Sequence, residues 1–330
     1  MNHLVSILLL MVALVSATGA TFTESFATQP TGWQVWNPGA FQWDADAQNL
    51  AVTWDSHQTN AFFIYKLPRR LTRADAFQVE LTLRFDDLIV GVDPTKSSTF
   101  PVCFGFVNLS QATRTNYFRG AGVNAATGPR SVVEFAYFAE AGIIDSTVGP
   151  IIASESNQIA FSHSHPVEMV AGDNFRIRMS FDAATQTLFT TMWRNGEPYG
   201  EQPGNTIRSL DYNAGFDDFE IDAFSITSYS DAGQSPPQYA GSVLAHGIVD
   251  DVVITWPDPP IAKVSGHFAG RDWIVEFVAQ SGWNYRLQRT IDFIGWEDVA
   301  NGAGVDGLLQ LIDQGAPTEK AFYRVVAERP

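Results

Sequence analysis

The residues with the strongest chemical potential are acids, histidines and tryptophans set in short alternating runs. Glu220 and Asp222 stand two apart in FEIDAFS. On a strand, alternation puts both carboxylates on one face. Two carboxylates on one face make these the candidate catalytic residues. The competing reading, an acidic edge strand, is the favoured one. His163 and His165 flank Ser164 and would also share a face, where two imidazoles could hold a metal ion. Between Arg208 and Lys263 the chain has no Lys or Arg and nine acids. Asp217, Asp218, Asp250 and Asp251 are the best seeds there for calcium, which takes oxygen ligands. Solvated surface charge is the alternative.

Two further runs alternate strictly. FQVELTLRF (77–85) sets Glu80, Thr82 and Arg84 opposite an apolar face, and FRIRMSF (175–181) does the same with Arg176, Arg178 and Ser180. If the two strands are neighbours, these groups form one polar face, with Glu134 of VVEFAYF joining them. Two readings stand open: a surface for polar ligands, or cross-strand ion pairs worth little each. Trp36, beside Asn37-Pro38-Gly39, is the candidate sugar-stacking ring. Trp54 alternates with Leu50 and Val52 and belongs to the core. Cys103, within VCFGFV, reads as a small buried hydrophobe. Cysteine-histidine and serine-histidine-aspartate arrangements, Gly-x-Ser-x-Gly and phosphate loops are not visible.

The elements that must position these groups are strands. From Thr21 onward short alternating runs dominate, and Asn195-Gly196 marks a tight hairpin. Such a pattern predicts an all-β chain built as packed antiparallel sheets. Trp256 is followed by Pro257-Asp258-Pro259-Pro260, a stiff break. The expected organisation is a signal peptide over 1–20, a β-sandwich over 21–256, a proline-rich linker over 257–261 and a small β-sandwich over 262–330. The signal peptide rests on the 12-residue apolar run from Leu4 to Val15 and the small residues Ser16 to Ala20. That run is shorter than the about 20 residues of a spanning helix. The mature chain is therefore expected to be secreted or periplasmic, without a transmembrane segment, and monomeric.

The order GW…FQWDADAQNLAVTWDS, VVEFAYF, NFRIRMSFDAATQTLFTTMWRNG, IDAFSITSYSD, GIVDDVVITW resembles secreted bacterial proteins with a concanavalin A-like (legume-lectin or glucanase) jelly roll. The DAATQT hairpin and the closing DDVVIT strand are similar to those of laminin-G-like domains. The resemblance covers about Thr21 to Trp256. The tail, from SGWNYRLQRTIDFIGWEDVA to KAFYRVVAE, is similar to modules that end many exported bacterial proteins. Glucanases of this fold carry a third acid after the first two. Here Glu220 and Asp222 match the first two, but the third place falls on Phe224 or Ser225, neither of which can serve as the acid. The resemblance thus implies a non-catalytic protein that binds carbohydrate or another envelope component. A polysaccharide-cleaving hydrolase or lyase of the same fold is the alternative, and a structural or adhesive envelope protein a further one.

Composition bounds these readings. The 330 residues carry 20 Lys+Arg against 36 Asp+Glu, net −16, which excludes a basic nucleic-acid footprint. One cysteine excludes an internal disulfide. Residues 1–260 hold 13 basic and 27 acidic groups, and residues 261–330 hold 7 and 9.

Overall fold

A computed structural model describes residues 20–92, 101–117, 119, 131–139, 145–156, 158–200, 204–206, 216, 218–231, 243–257, 260–317 and 320–328. The expected signal peptide up to residue 19, Asp217, and Asp258 and Pro259 of the expected linker lie outside the described residues. Among the described residues no helix is long and apolar enough to cross a membrane. The chain forms two compact units, 1–257 and 258–330.

The larger unit consists of two antiparallel sheets. The first runs Glu197–Tyr199, Thr187–Arg194, Phe175–Asp182, Phe77–Val90, Val243–Trp256, Asn49–Asp55, Phe41–Asp44, with Ala20–Glu24 paired to Val243–Trp256. The second runs Ile159–Phe161, Ile151–Ala153, Val132–Phe138, Val102–Val107, Ile221–Ser228, Ala61–Leu71, Trp33–Trp36. The alternating runs pair apolar with apolar: Phe181 faces Phe77, Met179 faces Val79 and Ile177 faces Leu81. Over 77–85 and 175–181 that register puts the apolar side chains of both strands on one face, and a slip by one residue would expose them all. Rings then cross between the sheets. Phe77 meets Phe106 edge to face at 4.8 Å, and Phe85 meets Tyr137 at 6.1 Å. Trp54 is buried in the core, 5.6 Å from Phe85. Asn195 and Gly196 turn the hairpin with positive φ, 52° and 91°, the geometry that suits strand twist.

The two sheets differ in what covers them. In Phe77–Phe85 buried and half-buried residues alternate, so the outer face meets water. All six residues of Val102–Val107 are buried, as are the first six of Val132–Phe138. The second sheet is therefore covered on both faces and has almost no alternation to show.

The smaller unit holds two three-stranded sheets: Ile261–Ala269, Asp272–Ala279, Gly307–Asp313, and Glu297–Ala303, Asn284–Thr290, Phe322–Glu328. Val275, Phe277, Ala279, Tyr285, Leu287 and Leu311 form its core. The Tyr285 hydroxyl donates to the Pro260 carbonyl at 2.6 Å, tying the start of the unit to its centre. The fold class is the one the sequence predicts: all-β, an antiparallel sandwich followed by a small one.

Candidate functional site

The outer face of the first sheet brings together Glu80, Arg176 and Arg178. Arg178 lies directly across from Glu80, and its Nε donates to Glu80 Oε2 at 2.6 Å. Arg176 approaches the same carboxylate at 4.0 Å. Trp193, across from Arg176 on the next strand, lies under both guanidiniums, 4.1 Å from Arg176 and 5.4 Å from Arg178. Arg84 turns instead to Asp86, at 3.0 Å. Two guanidiniums share the one Glu80 carboxylate, and Arg176 occupies a face of the Trp193 ring. The arrangement is a cross-strand network of ion pairs and cation–π contacts.

Glu134 does not join that face, contrary to the expectation. VVEFAYF lies in the second sheet, where Glu134 faces Gly105 on one side and Ile151 on the other. Its side chain is 0% exposed. Arg119 Nε donates to it at 3.1 Å, and the Tyr229 hydroxyl donates to its other oxygen. Burial, with the Glu134 charge, pushes the Tyr229 hydroxyl well up. Burial also opposes the Arg119 charge, yet its neighbours Cys103, Glu134 and Tyr229 hold the guanidinium above its ordinary value. The Cys103 thiol is likewise pushed up by burial, which makes it a poor nucleophile.

Glu220 and Asp222 are each engaged by a partner elsewhere in the chain. Glu220 precedes the strand Ile221–Ser228 and is bound by Arg70. Asp222 Oδ1 accepts the backbone N–H of Leu109 at 2.8 Å, at the start of the helical turn Leu109–Ala112. Each carboxylate has a separate structural partner because the two positions straddle the strand's first residue, where pairing with Ala61–Leu71 shifts register. The acids proposed for calcium are also dispersed. Asp218, ahead of the second-sheet strand Ile221–Ser228, accepts the Arg73 backbone N–H at 3.0 Å. Asp250 lies in the first sheet beside a bulge and accepts the Asp251 N–H at 2.7 Å. Burial raises the Asp250 carboxyl, and the charges of Asp251 and Glu24 add to that. Among the described residues no group of three or more His, Cys, Asp or Glu side chains is gathered as a metal seat.

A cleft of about 430 Å³ opens where strands of both sheets end. Asn37, Thr53, Asp55, Gln58, Thr59 and Ser228 supply its polar lining. Asn37 takes a left-handed conformation, φ 58°, ahead of the 3-10 turn Pro38–Ala40. Its amide donates to Thr59 Oγ1 at 3.3 Å and to the Asn60 carbonyl, which fixes that loop against the turn across the cleft. Asp55 ends the strand Asn49–Asp55. Its Oδ1 accepts the His57 N–H at 3.0 Å, an Asx turn, while its own N–H donates to Ser228 Oγ at 3.0 Å. Trp36, 46% exposed, immediately precedes this loop. The cleft thus presents amides, hydroxyls and one carboxylate, held by strand ends and closed turns. Of these residues only Trp36, at its margin in the chain, stands out in the sequence. For Asn37, Asp55, Gln58 and Thr59 the available signal was turn chemistry, in WNPG and DSHQTN.

No family model matches the sequence, and no curated protein matches it. Among solved structures, the seed lectin of Lotus tetragonolobus is 12% identical, covering 73% of this chain and 100% of its own, with a TM-score of 0.47. Lectin II from Ulex europaeus is 9% identical over 72% of this chain and 99% of its own, TM-score 0.46. A Bacillus subtilis protein of unknown function with a galectin-like fold is 13% identical over 72% and 96%, TM-score 0.41. The sheets themselves carry the fold class.

Proposed function

We propose that the larger unit binds a neutral carbohydrate in this cleft without cleaving it, and that the protein works outside the cytoplasm, as a monomer, once its apolar leader is removed. The observation that carries the reading is the lining. Asn37, Thr53, Asp55, Gln58, Thr59 and Ser228 surround about 430 Å³ with groups that donate and accept. Sugar hydroxyls need both. Trp36 offers a ring surface beside the lining loop, suited to the apolar face of a pyranose. Asp55 is the single acid among the lining residues, whereas glycoside cleavage uses two carboxyl groups. A net charge of −16 disfavours acidic polymers.

The test is a glycan screen on the mature chain, with and without calcium, run beside a reducing-sugar release assay. Wild type is expected to bind a neutral glycan and release nothing. Gln58→Ala and Asp55→Asn should each weaken binding roughly five- to tenfold, the scale of one hydrogen bond. Unchanged binding in both variants would move the site elsewhere. Release of sugar would overturn the non-catalytic reading.

A further inference from the structure

The edge of the second sheet carries a pair of side chains that the carbohydrate reading does not use. The strand Ile159–Phe161 is the outermost of that sheet. Beyond it the chain stays extended. Ser164 N–H donates to the Val148 carbonyl at 2.9 Å, and the Val148 N–H donates back at 3.1 Å. The Val167 N–H donates to Ser146 at 2.8 Å. The segment is thus tied down on both sides of its centre. Ser164 is 4% exposed, so its side chain turns inward, and alternation turns His163 and His165 outward together. Both imidazoles are exposed. Their centroids are 5.5 Å apart and their planes 16° apart.

We propose that His163 and His165 form a two-imidazole chelate for a late divalent transition metal ion, Cu²⁺ foremost. Neutral imidazole suits Cu²⁺, Ni²⁺ and Zn²⁺, and affinity among these peaks at Cu²⁺. Nitrogen–metal bonds are about 2.0–2.1 Å for zinc. Rotation of two exposed side chains from a 5.5 Å stack brings one nitrogen of each ring to a shared ion. The backbone needs no movement, because Ser164 already holds both Cβ positions on one face. Water completes the coordination, so the site is open, unlike a closed structural zinc site. Calcium, which takes oxygen ligands, is not expected there.

The experiment is a Cu²⁺ titration of the untagged mature chain by calorimetry in a non-chelating buffer, with electron paramagnetic resonance of the bound ion. Wild type should take one ion with nitrogen hyperfine structure from two imidazoles. His163→Asn and His165→Asn should each weaken binding about tenfold or more, because the second ligand then no longer acts intramolecularly. His267→Asn, in the smaller unit, is the control and should titrate as wild type. Both tested positions are exposed, and circular dichroism confirms that the variants fold. The proposal is overturned if wild type takes no ion, if only one of the two histidines matters, or if both variants match wild type.

Discussion

Glu134 holds a full carboxylate out of water, with Arg119 and Tyr229 as its partners. Removing one member of such a pair leaves the other charged and buried, which costs about 3–5 kcal/mol. Glu134→Ala is expected to lower the unfolding free energy of the larger unit by that much, read from the shift of its urea transition. Arg119→Met combined with Glu134→Leu should recover most of the loss, since well-packed apolar residues often replace a buried ion pair at little cost. A single variant as stable as wild type would show that the pair is not holding the covered face together. The sequence does contain a sign of this burial. Glu134 is the only charged residue in VVEFAYF, and its neighbours two positions away are Val132 and Ala136. A polar outer face would repeat its polarity every second residue, as Glu80, Thr82 and Arg84 do. A lone acid between apolar neighbours marks a strand covered on both sides.

Elements with one wet face were legible, and those without one were not. Phe77–Val90 and Phe175–Asp182 announce both faces by alternation, and their pairing sets Arg178 opposite Glu80 as the pattern suggests. The cleft was illegible because its walls meet only in space. Asp55 and Ser228 are 173 positions apart yet share a hydrogen bond. The covered strands approach so closely that one position allows no side chain. A Cβ on Gly105 would lie 2.3 Å from the Val133 carbonyl oxygen and 2.6 Å from the Glu134 Cα. Gly105→Ala must therefore push Val102–Val107 away from Val132–Phe138. The expected loss is about 1–3 kcal/mol or more, as for other overpacked interiors. Equilibrium denaturation checks it, and an unchanged midpoint would mean that the two strands have slack the geometry does not show.

At the scale of the whole molecule, each unit has its own apolar cluster. A small unit buries a smaller share of its surface and is the more marginal. Among the described residues, the core cluster of the smaller unit gathers six buried hydrophobic side chains. Scanning calorimetry should therefore show two transitions, with the smaller unit melting first. One cooperative transition would mean that the two units stabilise each other. Charge divides in the same way. Residues 1–260 carry 13 basic and 27 acidic groups, and the rest are close to balanced. Most of the net negative charge of the chain thus resides in residues 1–260.

Glu134 has one more consequence, and it belongs to the chain before it folds. VCFGFV and VVEFAYF are apolar, β-favouring windows of the kind that stack into fibrils when exposed. Glu134 is the one charge in either. In a newly made chain its carboxylate is fully hydrated and acts as a gatekeeper against cross-chain pairing. Arg119 neutralises it only after the sheet has formed. The group that is costly to bury in the finished protein is what keeps the unfinished one in solution, so an apolar replacement of the pair should lower refolding yield while leaving native stability near that of wild type.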